Sequence, residues 1–201
     1  MKKKILITRK LLIENEKKLK ELFEVKLNSN DKIHTADEIV ELSKDCDGIL
    51  CAVTDQFNKD LISKLSPSIK IIANFAVGYG NIDVNAAKER SIVVTNTPEV
   101  LDDSTADVSI LLLLGASRKV LEARRAAERQ DWKWSADFML GKQMSNKRLG
   151  ILGMGRIGRA VAKRARGFNM EIHYHNRTQL SKDLEDGAIY HKTIKDLFSC
   201  S

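Results

Sequence analysis

Hydrophobic and polar positions follow two patterns along the first hundred residues. Short apolar runs rich in β-branched residues are typical of buried strands, and the segments between them repeat apolar residues every three or four positions, as amphipathic helices do. The predicted strands are 4–8, 25–27, 48–53, 69–74 and 92–95, and the predicted helices are 11–23, one that begins after Thr35, 58–65 and 84–90. Thr35 and Glu38 have the spacing of a capping box. Strands alternating with helices favour a parallel sheet covered on both faces.

The next stretch, residues 103–130, lacks proline and predicts one long helix. Residues 108–114 are apolar all round, so we expect them to be buried, whereas the later part of the helix is charged. We interpret this helix as a link between two domains. Trp132 and Trp134 follow in an irregular segment, where they pack either against a second surface, such as another subunit, or over the local core.

A strand, a glycine turn and a helix follow one another around residue 153. The apolar run 148–152 leads into a turn with Gly153, Gly155 and Gly158, and a helical pattern continues to Arg166. In a dinucleotide-binding unit the first glycine makes the tight turn, the second lets the backbone approach a pyrophosphate, and the third lets helix and strand pack closely. The helix N-terminus offers N–H groups and partial positive charge to the phosphates. These glycines are therefore candidate cofactor-binding residues.

The remaining pattern predicts a strand at 170–175, a helix at about 180–186, a strand at 188–190 and a helix from about 194. We predict an α/β protein in which a flavodoxin-like N-terminal domain precedes the first half of a Rossmann dinucleotide-binding domain. The predicted divisions are residues 1–100, the linking helix and loop 101–146, and the incomplete Rossmann domain 147–201. In the complete Rossmann strand order the glycine-turn strand is central and has a neighbour on each side. The pattern here predicts only the first three strands, so we expect Leu149, Ile151 and Leu152 to lie on an unpaired apolar edge.

The end of the second Rossmann strand bears on the choice of cofactor. An NAD site carries a carboxylate about 20 residues after the glycines, which binds the ribose hydroxyls. This chain has Asn176, Arg177 and Thr178 there. An acid would repel a 2′-phosphate, whereas arginine and threonine can bind one. The sequence therefore favours NADP(H), with NAD(H) as the alternative if Arg177 is only a solvated loop residue.

Composition limits the class of protein and its surroundings. The 201 residues are 43% hydrophobic and 30% charged, as in soluble globular proteins. Apolar runs such as 108–115 are far shorter than the roughly 20 residues of a membrane helix, and the N-terminus lacks a signal-peptide core, so we expect no membrane partner. Cys46, Cys51 and Cys200 form no CxxC pattern and are odd in number, which favours a reducing, cytoplasmic location.

The formal net charge of +7 is concentrated near the glycine turn. Basic side chains outnumber the single acid, Glu171, between residues 142 and 177. Such a patch can bind nucleic acid, but no recognised nucleic-acid motif accompanies it, so we expect no nucleic-acid partner. A solvated helix face explains several of these residues. Arg156, at the start of the helix, is the one expected to meet a ligand phosphate.

The histidines predict no metal site. His173 and His175 alternate along one strand and so share a face, but two ligands are too few for a metal ion. His34 and His191 have no partner at a recognisable spacing.

A second glycine motif lies at residues 74–83, directly after a predicted strand. Open α/β sheets bind ligands at the carboxyl ends of their strands. Gly78 and Gly80 allow a sharp turn in which successive N–H groups converge on an anion. A purely structural turn explains the same spacing, because glycine turns are common in loops.

Four ordered motifs, at residues 76–83, 94–101, 105–114 and 150–158, together resemble the D-isomer-specific 2-hydroxyacid dehydrogenases. Within that family the chain is most similar to glyoxylate and hydroxypyruvate reductases. The resemblance implies reversible hydride transfer between nicotinamide C4 and the keto carbon of a small 2-oxo acid. It also implies that residues 1–100 form the substrate domain, and that the linking helix and the loop after it form a homodimer interface.

The resemblance implies roles for particular residues. The backbone amides of Val77 and Gly78 would hold the substrate carboxylate. Thr105 would lie beside the cofactor, and the amides of Arg156 and Ile157 would meet the pyrophosphate.

The family's catalytic arginine, glutamate and histidine are expected beyond Ser201, so none is assigned here. We therefore expect an N-terminal fragment that is inactive alone. The alternative is a non-catalytic module that binds a dinucleotide or a partner.

Overall fold

A computed structural model describes residues 2–130 and 132–200 of the chain. They form two compact units, Met1–Val100 and Leu101–Ser201, each with its own sheet and its own core.

The first unit is a five-stranded parallel sheet with helices between the strands. The strands are β1 (Lys4–Ile7), β2 (Glu24–Lys26), β3 (Gly48–Cys51), β4 (Ile71–Asn74) and β5 (Val93–Thr95), and the helices are α1 (Ile13–Leu22), α2 (Ala36–Ser43), α3 (Lys59–Lys64) and α4 (Val84–Glu89). The strand order is β2-β1-β3-β4-β5. This is the flavodoxin order, and the predicted α/β class is confirmed.

The core of the first unit lies on both faces of this sheet. Leu6 and Ile7 are 2% and 0% exposed although neighbouring residues of a strand point to opposite faces. Both faces are therefore covered, as the continuous apolar runs predicted. The predicted capping box is also present: Thr35 Oγ1 accepts a hydrogen bond from Glu38 N, and Glu38 Oε2 accepts one from Thr35 N.

The second unit carries a three-stranded parallel sheet in the order β6-β7-β8. Its strands are β6 (Arg148–Leu152), β7 (Glu171–His175) and β8 (Ile189–Tyr190), and its helices are α5 (Asp102–Ser117), α6 (Val120–Arg129), α7 (Arg156–Arg166), α8 (Lys182–Glu185) and α9 (Ile194–Cys200). Among the described residues β6 pairs with β7 alone, which confirms the predicted edge, and Leu152 is 56% exposed there.

The single long helix predicted at 103–130 is wrong. The chain forms α5 and α6, and Lys119 separates them in the left-handed region with a φ of 53°. The expected burial of 108–114 is also wrong, since Leu111 and Leu112 are each 66% exposed. Within this unit α5 packs against α7 along one side, so the opposite side of its apolar part remains at the surface.

Neither tryptophan is buried by the residues that the structure describes. Trp132 stacks on Phe138 with ring centroids 5.6 Å apart, and Trp134 is 81% exposed. Across residues 2–130 and 132–200, every helix is too short or too polar to traverse a lipid bilayer.

Candidate functional site

The glycine turn after β6 needs glycine at two positions for different reasons. Gly153 has a φ of 98°, which side chains strongly disfavour. A Cβ at Gly158 would lie 2.3 Å from the carbonyl oxygen of Gly153, so helix α7 can approach the turn only without one. Gly155 differs, because a Cβ there would meet no atom within 4 Å. The space beside Gly155 is open to a ligand.

Asn176 holds this turn against the end of β7. Its Oδ1 accepts a hydrogen bond from Met154 N at 2.7 Å, and Gly153 N donates to the carbonyl of His175 at 3.0 Å. Tyr190 Oη donates to the Asn176 carbonyl at 3.3 Å. The cofactor contact predicted for Asn176 stays a prediction, and the structure adds that its Oδ1 fixes the backbone of the glycine turn.

Helix α7 begins at Arg156 with Gly155 as its N-cap residue. Within the described chain no side chain caps this end, and the first turn holds no acidic residue. A helix N-terminus carries partial positive charge and N–H groups that lack intrahelical acceptors. This end of α7 is therefore suited to an anion.

An open cavity of about 520 Å³ lies at the carboxyl ends of β6 and β7. Its lining residues are Leu152, Gly153, Gly155, His175, Asn176, Arg177, Thr178 and Ile194. Five predicted cofactor residues thus come together here, from two segments of the chain. Arg177 and Thr178 are exposed, and the Arg177 guanidinium has no partner among the described residues. A cation without an internal partner is available to a ligand phosphate.

The other predicted cofactor residues lie outside the cavity lining. Gly158 is buried under the turn, and Ile157 is half-buried in the first turn of α7. Arg156 Nε lies 3.5 Å from Asp102 Oδ2, so its side chain pairs with helix α5. Thr105 is half-buried on α5, where its carbonyl accepts a hydrogen bond from Ser109.

The buried Tyr174 fixes the segment that follows Thr178. Its Oη donates to Glu185 Oε1 at 2.6 Å and accepts from Leu180 N at 3.0 Å. Burial, followed by the Glu185 carboxylate, raises the pKa of Tyr174 to about 12. The hydroxyl therefore stays protonated at neutral pH and keeps donating. The same bond lowers the pKa of Glu185.

The glycine motif of the first unit presents two unpaired amides. Asn96 Nδ2 donates to the Val77 carbonyl and Asn74 Nδ2 donates to the Gly78 carbonyl, each at 2.8 Å. Within the described residues nothing accepts from the N–H of Val77 or of Gly78. Asn96 thereby fixes the Val77–Gly78 peptide group, which carries the Gly78 N–H, and Thr97 N fixes the Ala76–Val77 group by donating to the Ala76 carbonyl at 2.9 Å. Both N–H donors stay available.

Gly78 and Gly80 do not use the left-handed backbone conformations that glycine allows. Neither has a φ in the left-handed region, and a Cβ at either would meet nothing within 4 Å. What glycine supplies here is space beside the loop.

Sequence reasoning missed the residues that support this loop. Asn74 is 2% exposed, and Asn81 Nδ2 donates to the carbonyls of Ala52 and Asp55 at 3.2 and 3.0 Å. The sequence did contain a signal for them, because Asn74 and Asn96 are polar residues at the carboxyl ends of neighbouring strands, where open α/β sheets bind ligands. Burial raises the pKa of the adjacent Cys51 thiol to about 12, so it is no nucleophile at neutral pH.

The spacing of His173 and His175 placed these two histidines on one face of a strand, but in the structure each contacts His191. His173 Nδ1 lies 2.8 Å from His191 Nε2, and His175 Nδ1 lies 2.8 Å from the His191 carbonyl. Cys200 Sγ lies 3.4 Å from both His173 Nδ1 and His191 Nε2. His34 lies 3.8 Å from Glu38. The structure thus brings together three potential metal ligands, which the sequence spacing did not reveal.

A parallel sheet with a glycine turn at the carboxyl end of its first strand defines a Rossmann-type unit. A family model, "D-isomer specific 2-hydroxyacid dehydrogenase, catalytic domain", matches residues 5–193. The chain therefore belongs to the D-isomer-specific 2-hydroxyacid dehydrogenase family, which confirms the resemblance seen in the four motifs.

Individual relatives agree with this assignment. The glyoxylate reductase of Thermococcus litoralis is 40% identical over 196 residues, covering 94% of this chain and 59% of that protein. An NAD-binding D-isomer-specific 2-hydroxyacid dehydrogenase structure from a Polaromonas species has a TM-score of 0.90 at 40% identity, covering 100% of this chain and 63% of the other. The citrate complex of an NADPH-dependent glyoxylate/hydroxypyruvate reductase from Sinorhizobium meliloti has a TM-score of 0.82 at 31% identity, covering 97% and 60%. The chain spans 59–63% of their lengths.

Replacing Gly158 with alanine is expected to destabilise the second unit by about 1–3 kcal/mol, the usual range for overpacking. The added methyl would overlap the Gly153 carbonyl and push α7 away from the turn. Urea unfolding followed by circular dichroism measures the change. Gly155→Ala is the matched control, because its Cβ enters open space and its φ is −77°. Equal midpoints for Gly158→Ala and the wild type would contradict the proposed close approach.

Proposed function

We propose that this chain is part of an NAD(P)-dependent 2-hydroxyacid dehydrogenase acting on a small 2-oxo acid such as glyoxylate or hydroxypyruvate. The observation that carries the proposal is the cavity where the glycine turn meets Asn176, Arg177 and Thr178, in a chain of this family. The glyoxylate reductase of T. litoralis supports the substrate class. Because the chain spans 59% of that relative, the proposal concerns the whole protein.

The residues present fit a dinucleotide. Open space at Gly155 gives the pyrophosphate a close approach to the backbone, and the uncapped start of α7 offers the amides of Arg156 and Ile157. Thr105, on α5, would lie beside the cofactor, as the family resemblance implies. When bound, the nicotinamide supplies or accepts the hydride. The chain's own residues bind and orient the cofactor.

The first unit would hold the substrate carboxylate. Among the described residues the Val77 and Gly78 amides have no acceptor, and Thr97 N and Asn96 Nδ2 fix the peptide groups that carry them through the carbonyls of Ala76 and Val77. Two neighbouring N–H donors that no described residue accepts from suit a carboxylate, since hydrogen bonds to charged acceptors are the stronger ones. The resemblance places the proton-donating histidine, its glutamate and the substrate-binding arginine in the part of the family proteins beyond this region.

We propose NADP(H) as the preferred cofactor, because Arg177 lines the cavity and has no partner among the described residues. Arg177→Ala should weaken NADPH binding about 10–100-fold, the value of one hydrogen bond to a charged group, and leave NADH binding unchanged. Isothermal titration calorimetry with both cofactors measures this. Arg148→Ala, the same charge change at the opposite end of β6, should alter neither affinity. Equal or tighter NADH binding by the wild type would reject the preference.

Glyoxylate should bind to the chain at the glycine motif of the first unit. We expect the Val77 and Gly78 amide resonances of the ¹⁵N-labelled chain to shift on titration, because these N–H groups become donors to the carboxylate. Glycolaldehyde, which lacks a carboxylate, is the control ligand, and the Gly48 amide in strand β3 is the control resonance. Unchanged Val77 and Gly78 signals at saturating glyoxylate would remove this role.

A mixture of the chain, glyoxylate and NADPH should show ligand binding without turnover. Residues 1–201 are expected to leave NADPH unoxidised by glyoxylate, because the resemblance assigns the acid–base group to a later region. The absorbance of NADPH measures this, and a rate above that of the buffer would show that this chain carries its own catalytic groups.

We also propose a homodimer built on α5, α6 and residues 132–138, which contain both tryptophans. Leu111 and Leu112 are each 66% exposed and Trp134 is 81% exposed, and burial of such surface favours association. Sedimentation velocity should give a dimer for the wild type and a monomer for Leu112→Glu. Val53→Glu, at an exposed position of the first unit, is the matched control. A wild-type monomer at every concentration tested would refute this interface.

A further inference from the structure

Three metal-ligating side chains meet on one side of the second sheet. His173 belongs to β7, His191 follows β8, and Cys200 ends α9. His173 Nδ1 and His191 Nε2 are 2.8 Å apart, and Cys200 Sγ lies 3.4 Å from each of them. Three segments separated in sequence thus place two imidazole nitrogens and one sulfur in a compact triangle.

We propose that His173, His191 and Cys200 bind a divalent zinc-like cation through Nδ1, Nε2 and Sγ. Imidazole and thiolate together are a ligand set that Zn²⁺ uses in proteins, whereas Mg²⁺ and Ca²⁺ take oxygen ligands. The site holds three protein ligands, so water completes the tetrahedron.

The separations match tetrahedral coordination closely. With Zn–N of about 2.0–2.1 Å and Zn–S of about 2.3 Å, tetrahedral angles put nitrogen and sulfur about 3.5 Å apart and the two nitrogens about 3.3 Å apart. The observed nitrogen–sulfur distances are both 3.4 Å. The nitrogen–nitrogen distance of 2.8 Å must open by about half an ångström, which small rotations of the two rings supply.

Glu171 prepares His173 for this role. Its Oε1 lies 2.5 Å from His173 Nε2, so the carboxylate fixes the proton on Nε2 and leaves the Nδ1 lone pair directed at the other ligands. A metal-ligating histidine usually donates its second N–H to a carboxylate or carbonyl in this way. The partner of the proposed ligand is therefore already in place.

Binding balances without any redox step. The Cys200 thiol, now 3.1 Å from the Leu197 carbonyl, loses its proton to solvent as the sulfur–metal bond forms. His191 Nε2, the donor toward His173, gives up its proton and the ring takes one at Nδ1. One proton is released for each cation bound. His173 is 5% exposed, but His191 and Cys200 are half-buried, which leaves a path for the cation.

The bound cation would join β7, the segment after β8 and α9. Since it binds the folded arrangement of three separate segments, it should stabilise the second unit by mass action. If the three side chains bind no cation, the same contacts form a hydrogen-bonded cluster of two histidines and a thiol. The two arrangements differ in whether Cys200 carries its proton when a metal ion is added.

Titration of the purified chain with Co²⁺ and Zn²⁺, after removal of any affinity tag, tests the proposal. We expect one equivalent of Co²⁺ to give a thiolate-to-cobalt charge-transfer band and tetrahedral d–d bands, which Zn²⁺ then displaces. Glu171→Gln should weaken Zn²⁺ binding about 10–100-fold, as loss of an outer-shell partner does. Cys200→Ser should cost more than that and abolish the charge-transfer band.

His191→Gln provides a second ligand variant if Cys200→Ser alters the fold, and His34→Gln is the control histidine in the first unit. The control should bind like the wild type, with the same band. The proposal is overturned if the wild type gives no charge-transfer band. It is equally overturned if Zn²⁺ affinity is unchanged in both Cys200→Ser and His191→Gln.

Discussion

The contact between Gly158 and the Gly153 carbonyl is the constraint on which the second unit depends. It allows helix α7 to begin directly against the end of β6, so that the helix N-terminus and the glycine turn form one surface. The position of α7 then determines that of α5, which packs along it. Arg164 reinforces this packing, with ion pairs to Asp103 at 3.1 Å and to Asp107 at 2.5 Å. A single missing Cβ therefore sets both the shape of the cavity and the placement of the neighbouring helix.

Each unit uses asparagine side chains to fix the backbone of its glycine-containing loop. In the second unit Asn176 Oδ1 accepts from Met154 N and so holds the glycine turn. In the first unit Asn96 Nδ2 donates to the Val77 carbonyl and so fixes the peptide group of the Gly78 N–H, which has no acceptor among the described residues. Loop backbone is mobile unless something restrains it, and donors fixed in advance lose little freedom when a ligand binds. In both units these asparagines lie at or directly after the carboxyl end of a strand.

Local patterns were sufficient for most of the fold. The apolar runs predicted every strand of the two sheets, and the Thr35–Glu38 spacing predicted the start of α2, because these signals act within a few residues. The break at Lys119 was not predictable, since neither glycine nor proline marks it and only the φ of 53° reveals it. The prediction that residues 108–114 are buried was wrong for another reason. Composition shows how apolar a helix is, but the elements packed against the helix decide which of its sides is covered. Residues 173, 191 and 200 could be connected only through the tertiary fold.

The two candidate sites of the second unit are one hydrogen bond apart. His175 lines the dinucleotide cavity, and its Nδ1 lies 2.8 Å from the carbonyl of His191, a proposed metal ligand. A cation held by His191 Nε2 restrains the backbone that carries this carbonyl, and so restrains one wall of the cavity. Linkage makes any such effect mutual: if the cation changes dinucleotide affinity, the dinucleotide changes cation affinity by the same factor. The glycine turn and the histidine–cysteine cluster are therefore parts of one continuous structure at the end of β7.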